Sequence, residues 1–249
     1  MGRKTNVLSL RSQISPQQWQ TYWNNSNCLV EHHELILFLT RLFKNFYLNR
    51  VFIRQTHKGL FLQIEIVGVY PNLSYPNFKN LQSCIQVYTK ASNVFITISI
   101  CYLPKTLISK DLRKNFRSFK REKYFWQSLL LTKGAFGGYI SAKSLASFLN
   151  LFLKRNRKRQ RFIKNYIKKL LSWYNLNRED WRIQGLRIEV KGRFNPKSRT
   201  KKHILSCGAV SLQTFKYQLD YAHLVSYTIF GSLGIKVWIC SNAIAAKKT

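Results

Sequence analysis

The chain is 249 residues long, 45% hydrophobic and 14% aromatic, enough for one large domain or two small ones with real cores. Its 42 Lys and Arg stand against 9 Asp and Glu, a formal net charge of +33, and charge of that size repels itself in a compact state unless phosphate relieves it. No apolar run approaches the roughly eighteen residues of a membrane-spanning helix, and so few acids make a paired acid and base hard to assemble.

Residues 1–11 are basic, with Arg3, Lys4 and Arg11 suited to phosphate, and contain neither an apolar targeting core nor a long amphipathic presequence. From Ser15-Pro16 a helix is expected within 15–48, its apolar run Leu35, Leu39, Leu42 and Phe46 falling at helical spacing. Strands follow at 51–54 and 60–67 around a turn at His57-Lys58-Gly59. In the second of them Leu60, Leu62, Ile64 and Ile66 form a wholly apolar face, and Phe61, Gln63, Glu65 and Val67 the other. Val69–Asn77, with Pro71 and Pro76, reads as a loop, a weak helix is expected over 78–90, and Val94–Tyr102 is a strong strand. The order helix, strand, strand, helix, strand makes a first domain over 1–104.

A basic connector is expected over 105–140. Its aromatics Phe116, Phe119, Tyr124, Phe125 and Trp126 either stack on unpaired bases or anchor the connector to its own domain. Gly134, Gly137 and Gly138 lack the Gly-Lys-Ser/Thr ending of a phosphate loop and read as a flexible turn before a helix. Across 141–175, Leu145, Phe148 or Leu149, Phe152, Ile163, Ile167, Leu170 and Tyr174 keep helical steps, but between Lys154 and Arg161 all eight residues are polar and six are basic. That stretch is either about two turns of bare helix or a break between two helices; without an apolar face it cannot sit on a core.

No acidic residue occurs between Glu122 and Glu179. Lys154, Arg155, Arg157, Lys158, Arg159 and Arg161, extended by Lys164, Lys168 and Lys169, therefore form a run of one sign. Solvated charge runs normally mix signs, so this one points to RNA phosphate. Arg also grips phosphate in bidentate fashion and stacks on exposed bases, which suits irregular or single-stranded RNA.

The rest is β-rich: Gly185–Phe194, a cationic loop around Pro196, a strand within 203–212, then Phe215–Tyr221, Leu224–Phe230 and Ile235–Cys240. A C-terminal domain over 141–249, with a mostly antiparallel sheet and a long basic helix, makes the whole an α/β (α+β) protein. Five scattered cysteines without a C-x-x-C pair argue for a reducing compartment and against a zinc knuckle. His32-His33-Glu34 offers no second ligand pair for a metal, and Asp220, His223 and Ser226 lack a nucleophile elbow. No catalytic residue, metal or cofactor is assigned.

Met1-Gly2-Arg3-Lys4, Asn6 and Leu10-Arg11 at the start form one end of a longer pattern. It continues through Ala142 and Ser144 before the basic run, then Gly192-Arg193, Gly208, Val210, Leu212, Thr214, Asp220-Tyr221, Tyr227, Gly231 and Gly234–Ile239. In this the chain resembles the family of ribosomal protein S three of the small subunit, in its bacterial and organellar form. The resemblance implies an N-terminal KH domain of prokaryotic type and a C-terminal α/β domain in the subunit head. It implies binding to small-subunit rRNA, a basic helix beside the mRNA entrance, protein neighbours S ten and S fourteen, and no enzymatic activity.

Arg157 and Arg161 fall on the family's basic doublets, whose other members are here Asn156 and Gln160, and Arg193 follows the shared Gly192. The family's GxxG loop belongs near 68–80, where only Gly68 remains, so a KH-like scaffold without its usual RNA clamp is expected. Heavy use of Lys, Asn, Ile, Phe and Tyr, amino acids with A/T-rich codons, suggests an organellar gene: mitochondrion first, plastid second. A free RNA-binding or RNA-processing factor is the alternative, and an RNA-directed enzyme a more distant one.

Overall fold

The computed structural model describes residues 19–22, 28–43, 47–56, 59–68, 82–83, 85–87, 93–102, 125–155, 165, 167–176, 181–194, 200–215 and 217–241. These fall into two compact units, one within Gln17–Leu103 and one within Pro104–Thr249.

The first unit contains β1 (Trp19–Tyr22), α1 (Cys28–Leu42), β2 (Tyr47–Thr56), β3 (Gly59–Gly68) and β4 (Val94–Tyr102). Its sheet has the order β1-β2-β3-β4, with β1 parallel to β2, β2 antiparallel to β3, and β3 parallel to β4. The helix expected from Ser15 begins only at Cys28, because Trp19–Tyr22 pair with Val51–Arg54 as an added strand. The buried line of α1 is Leu35 and Leu39, continued by Phe43 just past its end, whose N–H donates to the Leu39 carbonyl at 2.9 Å; spaced four apart, all three point the same way. They pack with Val51, Ile53, Leu60, Leu62, Ile64, Ile66, Ile85 and Val94 into one core. Each such side chain stabilises the fold by roughly 1.5–3 kcal/mol through burial. Of the weak helix at 78–90, helical turns are described at 82–83 and 85–87, where Gln82 Nε2 donates to the Val94 carbonyl at 3.0 Å. The loop at 69–77 lies outside the described residues.

The second unit holds α2 (Phe125–Phe136), α3 (Ala142–Arg155), α4 (Lys168–Leu176), β5 (Ile183–Gly192), β6 (Lys201–Gly208), β7 (Gln218–Thr228) and β8 (Gly231–Ser241). Its sheet order is β6-β5-β8-β7, and every neighbouring pair is antiparallel. One face carries Leu186, Ile188 and Val190 beside Leu233, Ile235, Val237 and Ile239, all buried. The α3 stripe Leu145, Phe148, Leu149 and Phe152 is buried too, as its spacing predicts, with α3 packed against β7 and β8. Where the sequence suggests separate strands at Phe215–Tyr221 and Leu224–Phe230, one continuous β7 runs to Thr228 and turns through Ile229-Phe230 into β8.

Residues 125–136, expected within a connector, form a helix in which Leu129, Leu130, Leu131, Ala135 and Phe136 are all buried. The glycines after it are a helix stop. Gly138, at φ 75°, lets Tyr139 N–H donate to the Gly134 carbonyl (3.0 Å) and Gly138 N–H to the Ala135 carbonyl (3.1 Å), the paired bonds that close a helix C-terminus.

Candidate nucleic-acid interface

The direction of α3 decides where the basic run begins. At its start, Asp220 on β7 accepts from the Ala142 N–H at 2.7 Å, and Ser144 N–H donates to Ser141 Oγ at 3.4 Å, so two of the orphan donors of the first turn are answered. Two turns on, Ser226 Oγ donates to the Asn150 carbonyl at 3.4 Å. Asp220 and Ser226 lie on the same strand, so α3 runs alongside β7 in the same direction. Both are buried, whereas His223 is exposed on the opposite face, which dissolves the hydrolase-like trio into a helix cap, a backbone tie and a surface residue.

Ser226 pairs in register with Leu233, Leu233 with Gly192, and Gly192 with Lys201. Lys154, one turn beyond Asn150, therefore leaves α3 at the end of the sheet where Arg193 and Lys201 also stand. Lys154, Arg193, Lys191, Lys201 and Lys202 are all exposed there. Lys202 Nζ meets Glu189 Oε1 at 3.0 Å, and Arg187 Nη2 reaches Glu189 Oε2 at 3.9 Å, so one carboxylate answers part of this charge. Lys191, Lys201 and Lys202 carry no local motif; the signal that finds them is the strand register, which sets Lys191 opposite Lys202.

Of the sequence-expected contacts, Lys154 and Arg193 are thus brought to one end of the sheet. Lys168 is exposed at the start of α4, a separate helix held where Cys207 Sγ donates to the Leu171 carbonyl at 3.2 Å. Arg155 is the last residue of α3. Arg3, Lys4, Arg11, Arg157, Lys158, Arg159, Arg161 and Lys164 lie outside the described residues.

Two titratable groups are displaced by their surroundings. Burial lowers Lys143 to about 8, and burial together with the Glu189 carboxylate raises the Tyr221 phenol. Among the described residues no cluster of His, Cys, Asp and Glu could hold a metal ion, and no helix is long and apolar enough to cross a membrane. Gly208 keeps its backbone at φ 70°, and a Cβ there would lie 2.3 Å from the Gln184 carbonyl oxygen, so β5 and β6 can meet this closely only around a glycine.

Residues 153–239 match the family described as ribosomal protein S3, C-terminal domain. The chain is similar to the small ribosomal subunit protein uS3c of Staurastrum punctulatum, 26% identical over 161 residues that make up 62% of this chain and 70% of that protein. It is 38% identical to the uS3c of Thalassiosira pseudonana over 28% of this chain and 32% of that protein. Against the small ribosomal subunit protein uS3 of Bacteroides thetaiotaomicron the identity is 37%, over 26% of this chain and 27% of the relative. In the latter two cases the chain spans about a third or less of the relative's length.

Proposed function

We propose that this chain is a ribosomal protein S3 of the small subunit, a structural constituent of an organellar small ribosomal subunit that binds rRNA in the head and lines the mRNA entrance. The observation that carries the reading is the coincidence of the family match at 153–239 with an exit of α3 at the basic end of its sheet. A helix anchored by Asp220 and Ser226 carries Lys154 to the end of the sheet where Arg193 and Lys201 also stand, so these three cations are gathered at one place before a phosphate backbone arrives. The net charge of +33 is then cancelled by the RNA around it.

The finer assignments rest on family and composition. The first domain acts as a KH-like scaffold, S ten and S fourteen are the protein neighbours, and the organelle is the mitochondrion on codon grounds, a plastid being the other organellar host. As a structural constituent the protein carries no catalytic group.

Co-sedimentation through a salt wash tests the central reading. The tagged chain is expected to remain with the small subunit at 0.5 M salt; release at that salt would make it a free RNA-binding factor instead. Within the particle, the triple replacement Arg157→Ala, Lys158→Ala, Arg161→Ala is expected to leave assembly intact and to slow translation of structured mRNA more than unstructured mRNA. In RNA binding by the isolated chain it should also lower the slope of log affinity against log salt by about two to three, somewhat under one per lost phosphate contact. Equal loss on both templates would remove the mRNA-entrance role.

A further inference from the structure

The sheet of the first unit has two faces of different chemistry. The face toward α1 is the buried core, while the opposite face carries Arg54, Phe61 and Phe95 in one register row: Arg54 pairs with Phe61, and Phe61 with Phe95. The two rings stack on each other with centroids 4.8 Å apart and planes at 14°. They are 39% and 48% exposed, and Arg54 is exposed beside them. The next row, Phe52, Gln63 and Thr97, continues the surface with a half-buried ring and two exposed polar side chains.

Exposing two stacked aromatic rings on a folded sheet forgoes the burial each would gain in a core. A single exposed Phe is ordinary; a register-matched pair beside an exposed Arg is a platform. When two rings stack, each keeps a second face directed away from its partner, and Phe95 lies on β4, one of the two edge strands of this sheet among the described residues. A planar, apolar surface with a guanidinium alongside fits a nucleobase with its phosphate: the ring takes the base face, Arg54 the phosphate or a further base. Four-stranded sheets that read single-stranded RNA use this arrangement of aromatic residues on the open face. The occupant favoured is RNA rather than protein, because the chain's +33 already concentrates polyanions around it and Glu65 is the one carboxylate on this face among the described residues.

We propose that the open face of the first sheet, centred on Phe61 and Phe95 with Arg54, binds unpaired RNA bases by stacking, as a second RNA contact separate from the basic run that follows α3. It deepens the ribosomal reading, on which it rests for the presence of RNA. A KH-like unit without its glycine clamp would on this view touch RNA through the other side of its sheet.

The test uses the full chain and two probes, a ten-nucleotide oligouridylate and an RNA duplex, read by fluorescence anisotropy at a salt concentration where phosphate contact alone is weak. The double variant Phe61→Leu, Phe95→Leu keeps apolar bulk and removes the π faces. It is expected to weaken oligouridylate binding about tenfold or more and leave duplex binding unchanged, while Phe61→Tyr, Phe95→Tyr retains parental affinity. Circular dichroism of each variant verifies the fold. Parental affinity of the Leu variant for the single strand overturns the platform, as does equal loss on single strand and duplex. If the Leu variant binds RNA normally but leaves the small subunit in a salt wash, the face docks a protein and the proposal is likewise overturned. Failure of the parent chain to co-sediment with the subunit would instead sink the ribosomal reading and leave the oligonucleotide result standing.

Discussion

The two four-stranded sheets are held in contrasting ways. In the second unit, polar ties fix the sheet to its helices: Asp220 to the Ala142 N–H, Ser226 to the Asn150 carbonyl, Cys207 to the Leu171 carbonyl. In the first, α1 is packed by apolar burial, with Leu35, Leu39 and Phe43 against the inner row of Ile and Leu from β2 and β3 among the described residues. A polar tie demands one residue type in one place. Apolar burial accepts any side chain of about the right volume. A fold held the first way should therefore tolerate fewer substitutions at its ties than one held the second way; the family match falls on 153–239, within the second unit.

Substitution should expose that contrast most strongly in the first core. Leu39 is fully buried, and Leu39→Ala is expected to cost about 3–4 kcal/mol, whereas Leu39→Met should cost less than about 1.5 kcal/mol. Hydrogen exchange of the β3 amides would read both. If Met proved as harmful as Ala, the first unit would depend on side-chain identity as closely as the second, and the distinction between the units would be lost.

In the second unit the matching experiment is Asp220→Ala, which leaves the Ala142 N–H in a buried position without its acceptor. The expected cost is about 2–3 kcal/mol, read by chemical denaturation, with Asp220→Asn costing less because its amide oxygen can still accept. A loss no greater than that of an average surface substitution would mean that the cap does not fasten α3, and the placing of Lys154 at the basic end of the sheet would lose its anchor.

Sequence alone shows the parts whose periods are undiluted. β4 is legible to the residue, and β3 nearly so, because Leu60, Leu62, Ile64 and Ile66 alternate without interruption. The buried stripe of α3 is equally plain. β1 is hidden because a four-residue strand has too few turns of any period, and its pairing with β2 is a long-range event that the local Ser15-Pro16 signal contradicts. α2 is hidden for the opposite reason: Leu129, Leu130 and Leu131 are all buried, so a helix apolar on most sides shows no amphipathic stripe. At the candidate interface the cationic run is visible from charge alone, but the placing of Lys154 at the same end of the sheet as Arg193 and Lys201 depends on Asp220 reaching across 78 residues to Ala142, a relation no local pattern carries.

The smallest expected effect lies in the first turn of α3, where Lys143 sits in the most firmly tied part of the second unit. Burial lowers its pKa from 10.5 to about 8, so below about pH 8 it is charged in both folded and unfolded states and the cost of burying the charge is fully present. Between about 8 and 10.5 the folded chain releases this proton while the unfolded chain still holds it. The unfolded state then binds more protons, and stability contributed by this group rises with pH, by on the order of 2 kcal/mol once the window has been crossed. A cation in the first turn also opposes the positive end of the helix. Lys143→Met is therefore expected to stabilise the chain by about 1–2 kcal/mol at pH 7, an advantage that shrinks steadily from pH 8 to 10.5 as the parent sheds its charge. Measuring the difference between variant and parent cancels the titration of the other lysines and tyrosines. A difference that stays constant across the window would show that Lys143 keeps its charge in the fold.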